Sequence, residues 1–161
     1  MSLLFFHGLD SGPHGSKYRL LSAVYPELIS PDFQGMDLQQ RITKATEITA
    51  TMSNAIVVGS SFGGLLAARM YSLYPERFRG LVLLAPAVHT EEGDKVERMP
   101  AAHRVRVLQG SADEVVPWSA VQDFCKRFDL PLQTLKDGHR LGAETSQKAI
   151  LEALESLLKN S

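Results

Sequence analysis

The stretch Ala55-Ile56-Val57-Val58-Gly59-Ser60-Ser61-Phe62-Gly63-Gly64 decides how this chain is read. Four apolar residues run into a Gly-x-Ser-x-Gly turn, and Phe62, Leu65, Leu66, Met70 and Leu73 then recur at helical spacing. Strand, sharp turn and helix are the context of a nucleophile elbow, in which a strained turn lifts one serine, here Ser61, above the end of a sheet. Gly59 and Gly63 are expected to be small because the strand and helix backbones cross closely there. Ser60 reads as a locally hydrogen-bonded neighbour. The same pentapeptide also suits an ordinary tight strand-to-helix turn, so the choice between the two rests on what the rest of the chain supplies.

Working outward, short apolar runs alternate with helical patterns six times. Strands are expected at Leu3–Phe6, Leu28–Ser30, Ala55–Val58, Leu81–Leu84, Val105–Leu108 and, more weakly, Leu130–Leu135. Helices are expected from Ser16 to Pro26, Asp37 to Met52, the elbow to about Tyr74, Pro117 to Phe128, and Ala143 to Leu158. Such alternation implies a three-layer α/β/α sandwich around about six parallel strands with right-handed crossovers. Functional groups in such sheets gather after the carboxyl ends of the strands. That places five loops on one edge: His7–Gly15, Asp32–Gly35, the elbow, Asp113–Pro117 and Asp137–Leu141.

A chain of 161 residues fits one domain, residues 1–161, with a single core. Apolar residues make up 44% and charged residues 22%, ordinary for a globular protein, and a net charge of -1 gives no electrostatic footprint for nucleic acid or an anionic membrane. One cysteine, Cys125, excludes an intrachain disulfide, and its spacing with Val121, Phe124 and Phe128 reads as a buried thiol. The first apolar run stops after four residues at His7-Gly8, too short for a signal peptide or a membrane span, so a cytoplasmic location is expected.

The loops carry a coherent chemistry. A serine hydroxyl needs an adjacent base, and that base needs a carboxylate to fix its tautomer. Asp113 follows the fifth strand run and His139 follows the sixth, so the chain order is Ser61, Asp113, His139. This order is the one of the three serine hydrolase arrangements in which the acid precedes the histidine and both follow the serine. An oxyanion hole completes the set: the N–H of Phe62, next after the serine, and the N–H of Leu9 (or a near neighbour), where Gly8 lets the backbone turn.

Taken together, His7-Gly8-Leu9, Gly59–Gly64, Gly110-Ser111-Ala112-Asp113 with Val116-Pro117, and Asp137-Gly138-His139-Arg140-Leu141 resemble a small α/β-hydrolase. The opening His7-Gly8-Leu9-Asp10-Ser11-Gly12-Pro13, with Lys17, is similar to the compact bacterial esterases of the YqiA type, and Asp137–Leu141 resembles the histidine loop of small serine esterases and acyl-protein thioesterases. The resemblance covers nearly the whole chain. Two departures accompany it: the chain begins at the strand before the oxyanion loop, and only about seventeen residues, Ala87 to His103, stand where larger relatives carry a cap. The expectation is therefore a minimal, cap-free fold. Its function would be a serine hydrolase cleaving small or extended acyl esters or thioesters at a shallow site, without metal or organic cofactor.

Other residues are weighed beside these. Glu114 is the nearest alternative to Asp113. Asp137 is expected to cap its own turn, Asp32 to form a turn, and His7 to brace the oxyanion loop. Gly8, Asp10 and Trp118 are the candidates for contacting substrate; Trp118 equally suits a helix-covering role. Arg140 reads as a surface cation, Glu91–Arg98 as a solvated loop, and His89 and His103 show no metal-ligand spacing. Two other functions fit the same motifs. One is acyl transfer or lyase chemistry on this fold; the other is a partner-binding protein with a little-used triad.

Overall fold

Five parallel strands form one sheet in the order β1 (Leu3–Phe6), β2 (Ala55–Ser60), β3 (Phe78–Leu84), β4 (Val105–Gly110) and β5 (Leu132–Leu135), in a computed structural model that describes residues 1–159. Six α-helices accompany them: α1 (Ser16–Ser22), α2 (Leu38–Ile48), α3 (Phe62–Leu73), α4 (Glu91–Asp94), α5 (Trp118–Phe128) and α6 (Glu144–Lys159). The inner strands are apolar on both faces because both faces are covered. On one face Leu4, Phe6, Val57, Leu81, Leu83 and Val107 pack against α2, α3 and α5. On the other, Leu3, Phe5, Ile56, Val58, Val82, Leu84 and Leu108 pack against α1 and α6. Burying each such Leu, Ile, Val or Phe is worth roughly 1.5–3 kcal/mol, so the alternation of side chains between two cores holds the three layers together.

The expected second strand is a correction. Leu28–Ser30 makes a single parallel bridge, Leu4 to Ile29, with Phe5 N–H donating to Ile29 O and Ile29 N–H to Leu3 O, both at 2.9 Å. Pro26 and Pro31 bracket the segment, and Pro31 has no N–H to extend a ladder. The sheet therefore has five strands and a one-bridge edge. Conversely, β3 begins three residues earlier than its apolar run, since Phe78 is buried and Gly80 lets the strand pass Arg104, whose carbonyl would lie 3.0 Å from an added Cβ. Arg79 masks this start in the sequence.

This edge bridge has a topological consequence. From β1 the chain moves outward to Ile29, whereas from β2 it moves inward to β3. The carboxyl ends of β1 and β2 thus diverge, and a crevice opens at such a switch point. Helix α2, which carries the chain back, starts with a capping box: Asp37 accepts from Gln40 N–H at 2.8 Å, and Gln40 Oε1 accepts from Asp37 N–H at 2.9 Å.

The Ala87–His103 segment builds no cap. The charges of Glu91–Arg98 are solvated as expected, with Glu91, Asp94, Lys95, Glu97 and Arg98 exposed, but the segment is not a free loop: Gly93 and Val96 between them are buried, as are the flanking Val88 and Met99. Ser72 Oγ accepts from Glu97 and Arg98 N–H at 3.2 Å each, Tyr71 Oη accepts from Ala101 N–H at 3.1 Å, and Arg69 pairs with Glu92 at 3.3 Å. It is a strap held down on α3. Among the described residues, no helix is long and apolar enough to cross a membrane.

Candidate active site

The turn between β2 and α3 is strained where the sequence places it. Ser61 has φ 54° and ψ -113°, a conformation L-residues rarely adopt. It is held on both sides: Ser61 N–H donates to Leu84 O at 2.8 Å, and Ser61 O accepts from Gly64 (3.0 Å), Leu65 (3.1 Å) and Ala87 (3.0 Å). The glycines are small for the expected reason. A Cβ on Gly59 would lie 2.5 Å from Gly63 O, and one on Gly63 would run into the Phe6 and His7 carbonyls.

Asp113 and His139 arrive on the loops after β4 and β5, beyond the intervening β3. Ser111 N–H donates to Leu135 O at 2.8 Å and Ala112 N–H to Asp137 O at 3.0 Å, which ties the loops after β4 and β5 together. Gly110 permits this contact, since a Cβ there would collide with the Asp137 carbonyl. His139 Nδ1 lies 2.8 Å from Asp113 Oδ2, and His139 Nε2 lies 3.0 Å from Ser61 Oγ. The Asp113 side chain has no exposure and accepts three further hydrogen bonds, from Val115 and Val116 N–H (2.8 Å each) and from Gln109 Nε2 (3.0 Å). A carboxylate so surrounded is an acceptor, so Nδ1 carries the ring proton and Nε2 is free to accept from the serine hydroxyl. Glu114 is exposed; Asp113, not Glu114, meets the histidine.

The loop that carries His139 is fixed by groups outside the Asp113–His139–Ser61 chain of hydrogen bonds. Asp137 accepts from Ala143 N–H (2.9 Å), Ser146 Oγ (2.7 Å) and Gly138 N–H (2.7 Å), and the hydrogen bonds from Ala143 and Ser146 hold its carboxyl below the usual range. Asp137 thus caps its own turn, as expected. Lys17 Nζ donates to Arg140 O at 2.7 Å, and burial pulls its ammonium pKa down. Leu141 takes a positive φ of 50° just after.

On the other flank, His7 is fully buried; Nδ1 lies 2.7 Å from Gly8 O, and Nε2 accepts from Phe33 N–H at 2.8 Å. A carbonyl only accepts and an N–H only donates, so His7 is the neutral Nδ1–H tautomer, a brace and not a proton carrier. Burial, the largest influence, lowers its pKa. Asp32 accepts from Gln34 N–H and Nε2 in its own turn, which lowers its pKa. Gly8 does not occupy the left-handed region. Space does not demand glycine here either, since an added Cβ would meet Ser11, Ser60 and Ser61 only at ordinary contact distances of 3.5–3.7 Å; the expectation that Gly8 is needed for the backbone to turn is thus not met. The backbone N–H groups of Leu9 and Phe62 donate to no acceptor among the described residues.

Asp10 is exposed on the same loop, and Trp118 gives its indole N–H to Thr134 Oγ1 at 2.9 Å, joining α5 to β5. A cavity of about 230 Å³ lies between Val88, His89 and Gly93 on one side and Ala120, Asp123 and Phe124 on the other; Ser61, Asp113 and His139 do not line it. Cys125 is buried and its thiol pushed up to about 12 by desolvation, so it is inert. Among the described residues, no three His, Cys, Asp or Glu side chains are grouped to hold a metal. Sequence reasoning missed Gln109 and Arg41: each is a polar residue within an apolar pattern, and that interruption was the only available signal.

The family model described as alpha/beta hydrolase fold matches residues 4–149. No curated protein matches the sequence significantly. Among solved structures, one described as a candidate hydrolase of the alpha/beta superfamily, from Xanthomonas campestris pv. campestris, superposes with a TM-score of 0.77 and 25% identity over 96% of this chain and 98% of that one. Est1E from Butyrivibrio proteoclasticus gives a TM-score of 0.79 at 17% identity over 98% and 88% of the two chains. Mouse alpha/beta hydrolase domain-containing protein 10 gives 0.78 at 18% identity over 99% and 90%. The last two similarities concern the fold alone.

Proposed function

This chain belongs to the alpha/beta hydrolase family, and on that premise we propose that it is a serine hydrolase cleaving acyl esters or thioesters through an acyl-enzyme on Ser61. The observation that carries the reading is the continuous hydrogen-bonded chain Asp113 Oδ2, His139, Ser61 Oγ at 2.8 and 3.0 Å. Ser61 Oγ attacks the acyl carbon while its proton moves to His139 Nε2. Asp113 stabilises the imidazolium that forms, and the N–H groups of Phe62 and Leu9 receive the negative charge on the former carbonyl oxygen. His139 then gives the proton to the leaving alcohol or thiol. Water repeats the sequence on the acyl-enzyme, releasing the acid and restoring Ser61.

Four hydrogen bonds accepted by Asp113 would hold its carboxylate in place while it orients His139. Gly8 and Asp10 would border the acyl group on one side, with Trp118 at the far rim. The scheme uses this chain's own residues without metal or cofactor, and a cytoplasmic small-molecule acyl substrate belongs to the same proposal. Because the Ala87–His103 strap packs down on α3, short or extended acyl groups suit the site better than a large enclosed ligand.

The test is hydrolysis of p-nitrophenyl esters from acetate to palmitate by the wild type and by Ser61→Ala. A Ser61-dependent rate that falls by about three orders of magnitude in the variant is expected. Equal, background-level rates on every ester and thioester would remove the proposal.

A further inference from the structure

Arg41 heads the largest fully buried side chains of the molecule, and among the described residues no carboxylate lies within ion-pair distance of it. A buried, unpaired guanidinium is a poor way to stabilise a core, since an apolar side chain of similar volume does as well or better. Its partners are main-chain carbonyls: Nη1 donates to His7 O at 2.8 Å, Nη2 to Gly8 O at 3.2 Å and Nε to Met36 O at 3.3 Å. The planar fork thus spans two consecutive carbonyls just past the end of β1, a task for which the guanidinium is shaped and an ammonium is not. Its face lies over the Phe62 ring at 4.8 Å and the Phe33 ring at 5.5 Å.

The direction of one peptide follows. All peptide bonds among the described residues are trans, so in the Gly8–Leu9 unit the C=O and N–H point opposite ways. The Gly8 carbonyl is turned inward onto Arg41 and His7 Nδ1, so the Leu9 N–H is turned out of the core. Gly8 itself is beside Ser61. Leu9 is 58% exposed, so its side chain is only a weak anchor for this orientation. A cation on the carbonyl also polarises the amide and strengthens its N–H as a donor.

We infer that Arg41 is a positioning residue for the oxyanion hole: it locks and polarises the Gly8–Leu9 peptide so that the Leu9 N–H faces the reacting carbonyl oxygen, and it supports the second donor residue through the Phe62 ring. This inference rests on the serine hydrolase reading above.

The experiment compares a p-nitrophenyl ester with its thiono analogue, whose C=S accepts hydrogen bonds poorly, in the wild type, Arg41→Met, Arg41→Lys and Leu9→Pro. Arg41→Met should lower kcat on the oxygen ester by about 10- to 100-fold, leave KM within about twofold, and shrink the preference for oxygen over sulfur by a comparable factor. Arg41→Lys, able to serve one carbonyl, should fall between. Leu9→Pro removes the N–H itself and should lose the same preference, and combining it with Arg41→Met should add little. A folded Arg41→Met with unchanged kcat, or with an unchanged oxygen-to-sulfur preference, overturns the inference. If neither Arg41 variant folds, Leu9→Pro decides: loss of the preference supports it, and a retained preference overturns it. A wild type without Ser61-dependent turnover overturns the hydrolase reading and this inference together; an active wild type with indifferent variants overturns this inference alone.

Discussion

Replacing Ser61 once by alanine and once by glycine separates backbone strain from side-chain chemistry. Alanine removes Oγ and its 3.0 Å contact with His139 but keeps a Cβ at φ 54°, ψ -113°. Glycine removes both. A non-glycine residue in such a region stores about 1–3 kcal/mol, while glycine elsewhere costs about 0.5–1 kcal/mol relative to alanine through its unfolded-state entropy. Taking the middle of each range, Ser61→Gly should be about 1 kcal/mol more stable than Ser61→Ala, a Tm difference of about 2–4 °C for a chain of this size. Urea denaturation of both variants with m-values checked for equality, alongside a thermal scan, measures it; both should be inactive on esters. At an unstrained position the sign reverses, with glycine the less stable. Finding Ser61→Gly below Ser61→Ala by about 0.5 kcal/mol or more would refute the claim that the surrounding hydrogen bonds hold this serine in a costly conformation.

Two further outcomes follow from the same geometry. Gly63→Ala places a methyl 2.6 Å from the His7 carbonyl and against that of Phe6, where only main chain can yield; a loss of about 3 kcal/mol or more is expected. Gly142→Ala, with nothing within 4 Å and no positive φ, should be neutral or stabilising by about 0.5 kcal/mol; equal effects of the two in urea unfolding would contradict the close-crossing argument. His7 gives a pH dependence whose sign is fixed by its depressed pKa, caused first by burial. The unfolded chain takes up a proton below 6.5 and the folded chain does not, so the stabilisation is complete above that pH and is lost as pH falls. Unfolding free energies measured from pH 8 to 5 should fall more steeply for wild type than for His7→Asn, and parallel curves would count against it.

Much of this was legible before any coordinates. The apolar run into Gly59, the spacing after Phe62, and the pair Gly59 and Gly63 each reflect a local rule: a buried strand is apolar throughout, a helix repeats every three to four residues, and crossing backbones need glycine. Where the reading slipped, the cause was long-range. Leu28–Ser30 looks like a strand by composition, but flanking prolines leave it one bridge at the sheet edge. The charges of Glu91–Arg98 are solvated as they look, but Val96 and Gly93 among them are buried, and Ser72 and Tyr71 hold the backbone down.

The sequence alone was enough for the layered fold and for the loops that meet at one sheet edge, because hydrophobic period and turn composition are encoded residue by residue. Only the tertiary structure decided how those residues are held. Gln109 fastens Asp113 from within β4, Lys17 reaches the histidine loop from α1, and Arg41 turns a peptide after β1 from α2. None of the three has a spacing that betrays it. Each works through a hydrogen bond to a group its own segment does not contain, or to one placed within reach only by folding.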